Sequence, residues 1–276
     1  MRFLEPEAFF DLASFEHRDL FAGCLRVWEA LGNISSYLRD HMNPNVKDLG
    51  CFRRPLPQMA ALWKGKVWGE DDITILGGDV TKGTFRVRIA GEETSDAAVL
   101  YAGSVLWDEE ISLGPGCVIE PGALIKGPTL IGGHTEVRQG AYMRGRCIVG
   151  DGCVVGHTTE IKSSVMLNGA KAGHFAYIGD SILGNSSNLG AGTKLANLKI
   201  TESTVRVRIG QEWIDTGLRK FGAILGDGVE IGCNSVTNPG ALLARGCMVY
   251  PVTSVSPGYY EPKSVLKPLS GQGQTR

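Results

Sequence analysis

An aliphatic residue returns at every sixth position from Leu113: Ile119, Ile125, Ile131, Val137, Met143, Val149, Val155 and Ile161 follow. Four positions after each of the first eight stands a compact residue: Cys117, Ala123, Thr129, Thr135, Ala141, Cys147, Cys153 and Thr159. The beat resumes at Leu225, Ile231, Thr237, Leu243 and Val249. Neither a helix, with period 3.6, nor a half-buried strand, with period 2, produces a period of six. Such a repeat indicates a parallel β-helix, each hexad giving one short strand and one corner. Three hexads, about 18 residues, close a coil, and neighbouring coils lie ~4.8 Å apart. The corners explain the glycine content, 38 of 276 residues, about double the ~7% that is usual. The three repeat cysteines read as small core residues.

The beat breaks twice. After Ile161 the inward positions become Met166, Ala172, Ile178, Leu183, Leu189 and Leu195, so one residue is missing on either side of KAGHFAYIGD. From about Lys199 to Gly222 the repeat stops, and TVRVRIGQEWIDTG alternates about a glycine turn, which predicts a hairpin excursion. Upstream, the spacing of Phe21, Cys24, Leu25, Trp28, Leu31 and Leu38 predicts a helix over 18–40, ending before Asn43-Pro44. Four segments result: a helical extension and connector at 1–65, a β-rich stretch at 66–107, a β-helix at 108–255 with its excursion at 199–222, and an arm at 256–276. Whether 66–107 makes early coils or a separate β layer stays open.

Lys+Arg 28 against Asp+Glu 29 leaves a net charge of −1, with no electrostatic footprint for nucleic acid or an anionic membrane. No apolar run approaches the ~18 residues of a membrane span. The start, MRFLEPEAFFDLASFEHRD, lacks the apolar core of a signal peptide. Seven cysteines without a CxxC pair argue against a disulfide framework or zinc knuckle, so a reducing cytoplasm is expected.

Coil register stacks Val137, Val155, Ala172 and Leu189 in one column and Met143, Ile161, Ile178 and Leu195 in the next. Arg138, Lys162, His174, Tyr177, Asn188 and Asn197 then occupy two neighbouring edges. Two cations, an imidazole and several hydrogen-bonding groups suit a phosphorylated polar ligand. Taken singly, each also reads as a solvated corner residue.

GAKAGHFAYIGDSILGNSSNLGAGTKLAN closely resembles the left-handed β-helix acetyltransferase domain of bifunctional UDP-N-acetylglucosamine pyrophosphorylase/glucosamine-1-phosphate N-acetyltransferases. TGLRKFGAILGDGVEIGCNSVTNPGALL looks most like the version in archaeal and related sugar-1-phosphate nucleotidylyltransferase-like proteins. The similarity runs from about Leu113 to Val255. It implies an all-β, left-handed parallel β-helix with a helical N-terminal extension, a homotrimer with sites between subunits, and acetyl-CoA as co-substrate for an amino-sugar 1-phosphate, with no metal. By the same resemblance His174 takes the amine proton and Glu160 orients it. Arg138 and Lys162 hold the sugar phosphate, and Tyr177 and Asn188 contact the sugar. Asn197 lies near the reacting groups, the Ala191 N–H faces the oxyanion, and Ala191 with Cys233 contacts acetyl-CoA.

Departures limit the resemblance. Asn197-Leu198-Lys199-Ile200 replaces an Asn-Tyr-Asp-Gly, and a substrate-binding lysine falls at Ser203, leaving Arg206 or Arg208 as substitutes. The first 110 residues carry no GxGTRM-like phosphate loop, so nucleotidylyl transfer is not expected. Two other readings stand beside acyl transfer. One is a zinc enzyme of the γ-type carbonic anhydrase kind using His134, His157 and His174, whose 23- and 17-residue spacings do not match that pattern. The other is a non-catalytic trimeric scaffold or sugar-nucleotide sensor.

Overall fold

The computed structural model describes residues 1–268 and is a left-handed parallel β-helix of about nine coils. Its cross-section is a triangle. The first face carries eleven strands, and the second and third carry eight each. The ladder keeps the expected columns: Val137 pairs with Val155, Val155 with Ala172 and Ala172 with Leu189, while Met143, Ile161, Ile178 and Leu195 stack on the next face. These residues are buried to 2% exposure or less and form one continuous core, the valine, leucine, isoleucine and methionine side chains each contributing ~1.5–3 kcal/mol through burial. Cys117, Cys147 and Cys153 lie in that core, where burial pushes their thiols up to about 12.

The missing residues have a location. Coils that elsewhere turn from second to third face through two residues, such as Gly145-Arg146, turn there through Ser163 and Asp180 alone, at φ 47° and 44°. The excursion leaves from the same corner. Phe221 N–H donates to the Asn197 carbonyl at 2.9 Å and Gly222 N–H to that of Asp180 at 2.8 Å. Within it Arg206–Ile209 and Glu212–Asp215 pair as an antiparallel hairpin.

The third face differs from the others because it is apolar on both sides. Ile148, Val165, Ile182, Ile224 and Leu242 point outward from it and are fully buried under the N-terminal segment, with Phe9, Phe10, Trp28, Ile34 and Leu38. That segment is not the single helix over 18–40. Within that stretch Arg18–Phe21 and Val27–Glu29 are short 3-10 turns, and the α-helix is Ala30–His41. Gly23 at φ 75° breaks the run, and the Glu29 carboxylate accepts the Leu25 and Arg26 N–H groups at 2.9 and 3.2 Å. Leu25 is consequently 76% exposed.

Residues 66–107 do both things left open above. Ile73–Gly77, Arg86–Ile89 and Glu92–Thr94 form a separate antiparallel meander, whereas Ala98–Leu100 and Val105–Leu106 already belong to the first coil. Ala60–Trp63 and Lys66–Gly69 add an antiparallel hairpin to that end of the first face. The meander buries Val80, Phe85, Val87 and Ile89 against Val99 and Val118 on the outside of the first face. At the other end, the arm expected over 256–276 continues the solenoid through Gly258–Tyr260 and Val265–Leu266, since each finds an open ladder edge. The arm's last residues, 269–276, lie outside the described residues. Among the described residues no helix is long and apolar enough to cross a membrane.

Two stability predictions arise here. Thr237 occupies an inward position with its hydroxyl unpaired in the core, so Thr237→Val raises stability by about 1–2 kcal/mol in denaturant titration. Burial beside Phe15 and Tyr37 holds the His17 imidazole below its ordinary pKa of 6.5. The unfolded chain therefore binds the proton more readily, and stability falls as pH drops from 6.5 toward the lowered native value, then levels. His17→Gln, measured at pH 7.5 and 5 (roughly the two sides of that window), loses this component of the slope.

Candidate active site

The corner between first and second faces is a ridge built of one residue per coil. Gln139, His157, His174, Ala191 and Cys233 succeed one another along it. The amides of Thr158, Phe175, Gly192 and Asn234 donate, in turn, to the carbonyls of Gln139, His157, His174 and Ala191 at 3.2, 2.9, 3.0 and 2.8 Å. Three of the expected residues, His174, Ala191 and Cys233, are thus consecutive rungs. His174 is exposed, Phe175 beside it is 54% exposed, and the His174 imidazole has no hydrogen-bond partner among the described residues. The Ala191 N–H likewise makes no internal hydrogen bond among them. One rung below His174, the His157 Nδ1 lies 2.9 Å from the Gln139 carbonyl. A carbonyl only accepts, so Nδ1 is the donor in this contact.

On the first-face side of the ridge lies a cleft of about 610 Å³ lined by Arg138, Lys171, His174, Asn188 and Ala191, and by the meander's turn from Gly78 to Lys82. Arg138 donates Nε to Glu136 Oε2 at 2.8 Å and keeps its Nη2 at 2.8 Å from the same oxygen. Asn188 Nδ2 donates to Glu230 at 3.0 Å.

The second-face side carries the remaining predicted residues. Lys162 Nζ meets Asp180 Oδ2 at 2.6 Å, both side chains about 15% exposed, and Asn197 Nδ2 donates to the same oxygen. The Tyr177 hydroxyl donates to Asn197 Oδ1 at 3.3 Å. Burial, reinforced by the carboxylates of Glu160 and Asp180, pushes the Tyr177 pKa up, which keeps this hydroxyl a donor. Glu160 accepts Arg144 Nη1 at 2.7 Å.

The expected residues therefore form two groups flanking the ridge, not one cluster within a chain. Arg138, His174, Asn188 and Ala191 share the first-face cleft, while Glu160, Lys162, Tyr177 and Asn197 face outward from the second face. Glu160 is engaged by Arg144 and makes no hydrogen bond to His174 among the described residues. His134, the third imidazole of the zinc reading, sits on another corner, its N–H on the Pro115 carbonyl at 2.8 Å. The cation beside Ser203 within the chain is neither Arg206 nor Arg208. Lys199 Nζ lies 2.7 Å from the Ser203 hydroxyl, whereas Arg206 stands over the Trp213 ring and Arg208 donates to the Gly210 carbonyl. Register alone did not disclose Asp180, the acceptor for two site residues, although its place in a one-residue corner was already marked by the phase slip. The turn at Gly78–Lys82 gave no periodic signal, since it reaches the cleft from outside the repeat.

The family model of the GMPPB C-terminal domain matches residues 125–265, just over half of the chain. The chain belongs to this family. Among curated relatives it is 36% identical over 123 residues to a bifunctional sugar-1-phosphate nucleotidylyltransferase/acetyltransferase of Sulfurisphaera tokodaii, covering 44% of this chain and 31% of the relative. It is 33% identical over 109 residues to the bifunctional protein GlmU of Methanocaldococcus jannaschii, covering 40% and 26%. The aligned part of the chain thus spans under a third of these relatives' length. Among solved structures, a UDP-N-acetylglucosamine acyltransferase from Campylobacter jejuni aligns over 60% of this chain and 70% of its own, with 18% identity and a TM-score of 0.34.

The Lys162–Asp180 pair is well enough buried for its loss to be measurable. Asp180→Ala leaves an unpaired ammonium, and chemical denaturation should show a loss on the order of 3 kcal/mol. The double replacement Lys162→Met/Asp180→Asn, which keeps a residue suited to the φ of 44°, should be markedly milder.

Proposed function

We propose that the chain is an acetyl-CoA-dependent N-acyltransferase acting on an amino-sugar 1-phosphate of the glucosamine 1-phosphate kind. The observation that carries the reading is the ridge, where an unpartnered imidazole, His174, and an unengaged amide, Ala191, stand on successive rungs beside a cleft containing Arg138 and Lys171. The relative named as a bifunctional sugar-1-phosphate nucleotidylyltransferase/acetyltransferase supports it.

In this mechanism the sugar amine attacks the thioester carbonyl, forming the N–C bond. His174 accepts the proton released by nitrogen, a role imidazole fills near neutral pH. The Ala191 N–H donates to the oxygen on which negative charge develops. Collapse breaks the C–S bond, and the thiolate of CoA takes the proton from His174. Arg138 and Asn188 bind the sugar from the cleft wall, and Cys233, one rung above Ala191, borders the path of the acyl donor. Glu160, Lys162, Tyr177 and Asn197 complete the site from the second face of a neighbouring copy in a homotrimer.

Purified protein incubated with acetyl-CoA and a panel of amino-sugar 1-phosphates should release CoA thiol with one acceptor. His174→Ala should lower kcat by about 10²–10⁴-fold without changing oligomeric state in light scattering. Folded protein that releases no thiol with any acceptor overturns the reading. Acetyl-CoA binding without turnover would then assign a non-catalytic sensor, consistent with Arg138 and Lys162 each being held by a carboxylate.

A further inference from the structure

The meander lies outside the residues matched by the family model, yet its turn forms one wall of the cleft. The turn is rigidly made. Asp79 Oδ1 accepts the Thr81 hydroxyl at 2.9 Å and the Lys82 N–H at 3.1 Å, and the Asp79 carbonyl accepts the amides of Thr84 and Phe85 at 3.0 and 3.1 Å. On either side, Val80 and Phe85 are buried in the cluster that fixes the meander to the first face. The turn also rests directly on the solenoid, since a Cβ on Gly152 would lie 3.5 Å from the Thr81 carbonyl and one on Gly83 would lie 3.8 Å from the His134 ring.

This anchoring delivers Lys82 to the cleft. Its Nζ is 3.0 Å from Asp79 Oδ2, and its side chain is 76% exposed. Lys171 reaches the same cleft from the first face and has no ion pair among the described residues. The cations differ in how far they are already occupied. Arg138 keeps three N–H bonds but is held by two contacts to Glu136 with its side chain 34% exposed, whereas Lys82 has a single carboxylate contact at 76% exposure and Lys171 has no ion pair among the described residues. A phosphate monoester brings close to two negative charges and three strong acceptor oxygens. It is therefore best met by the two lysines, leaving the Arg138–Glu136 pair to face the sugar hydroxyls.

We propose that the Asp79–Lys82 turn is the acceptor-specificity element of this protein, and that Lys82, together with Lys171, binds the phosphate of the acceptor. The inference rests on the acyl-transfer reading but can fail separately from it. In thiol-release assays, kcat/KM is compared for glucosamine 1-phosphate and unphosphorylated glucosamine, in the full chain and in Lys82→Ala and Lys82→Arg. The preference for the phosphorylated acceptor should fall about tenfold in Lys82→Ala, largely through KM, and recover in Lys82→Arg. The KM for acetyl-CoA should stay within about twofold, since the turn lies on the acceptor's wall. An unchanged preference in an active Lys82→Ala, or an equal loss toward both acceptors, overturns the role of Lys82 while leaving acyl transfer intact. Absence of turnover in the unmodified chain removes the reading beneath it instead.

Discussion

Each coil hangs on the next by a parallel ladder that keeps one residue inward at the same place in every turn: Val137, Val155, Ala172, Leu189 and Ile231 down the first face. A slip of one residue inside a strand would turn the whole column toward solvent. Changes of length are therefore confined to corners. The second-to-third corner loses one residue at Ser163 and again at Asp180, then gains the whole excursion after Asn197. The same constraint positions side chains of the candidate site. Asp180 turns the chain at φ 44°, a conformation an aspartate tolerates, and this tight turn is what brings its carboxylate onto Lys162 and Asn197 one coil to either side.

Charge pairing within the chain shapes what a ligand meets. Arg138 pairs with Glu136, Lys162 with Asp180, Arg144 with Glu160 and Lys82 with Asp79. The exposed pairs add little to stability, since solvent screens them, but they hold flexible cations in defined directions. Asp79 is the clearest instance. The hydrogen bond and charge of Lys82, with the Thr81 hydroxyl, hold its carboxyl down at about 2, so it stays ionised and keeps the lysine beside the cleft at any physiological pH.

The repeat and its register were legible because a solenoid writes its core into the sequence at fixed spacing. Leu113 through Ile161 could be placed inward, and His174, Ala191 and Cys233 on one corner, by counting. What counting could not give is where side chains go once they leave the backbone. Glu160 turned toward Arg144, not His174, and Lys199, not an arginine, reached Ser203. Elements outside the repeat were the least legible. A plausible helical spacing over 18–40 was cut by one glycine and a capping glutamate. The strands beyond Pro257 lacked enough repeats to be seen as coil, although the open ladder edge captured them. One clue to the N-terminal segment was in the sequence all along. The third face has apolar outward residues along most of its length, at Ile148, Val165, Ile224 and Leu242, whereas the outward row of the first face turns from Val99, Val118 and Val154 to Lys171, Asn188 and Glu230, so the third face required the longer cover.

That cover decides which surface is left for chemistry. The N-terminal segment roofs the third face, and the meander roofs the lower first face and stops at the cleft. The first-to-second ridge between these covers stays open, with His174, Phe175 and Cys233 exposed along it. In the proposed homotrimer, copies meeting along this ridge would set the first-face group of one against the second-face group of the next, and Phe175 would supply apolar contact beside the reacting imidazole. Contact through the third face could not do this, because its apolar surface is already satisfied within the chain. On the proposed reading the segments outside the repeat act on the site from a distance, one by covering the third face and the other by walling the cleft assigned to the acceptor.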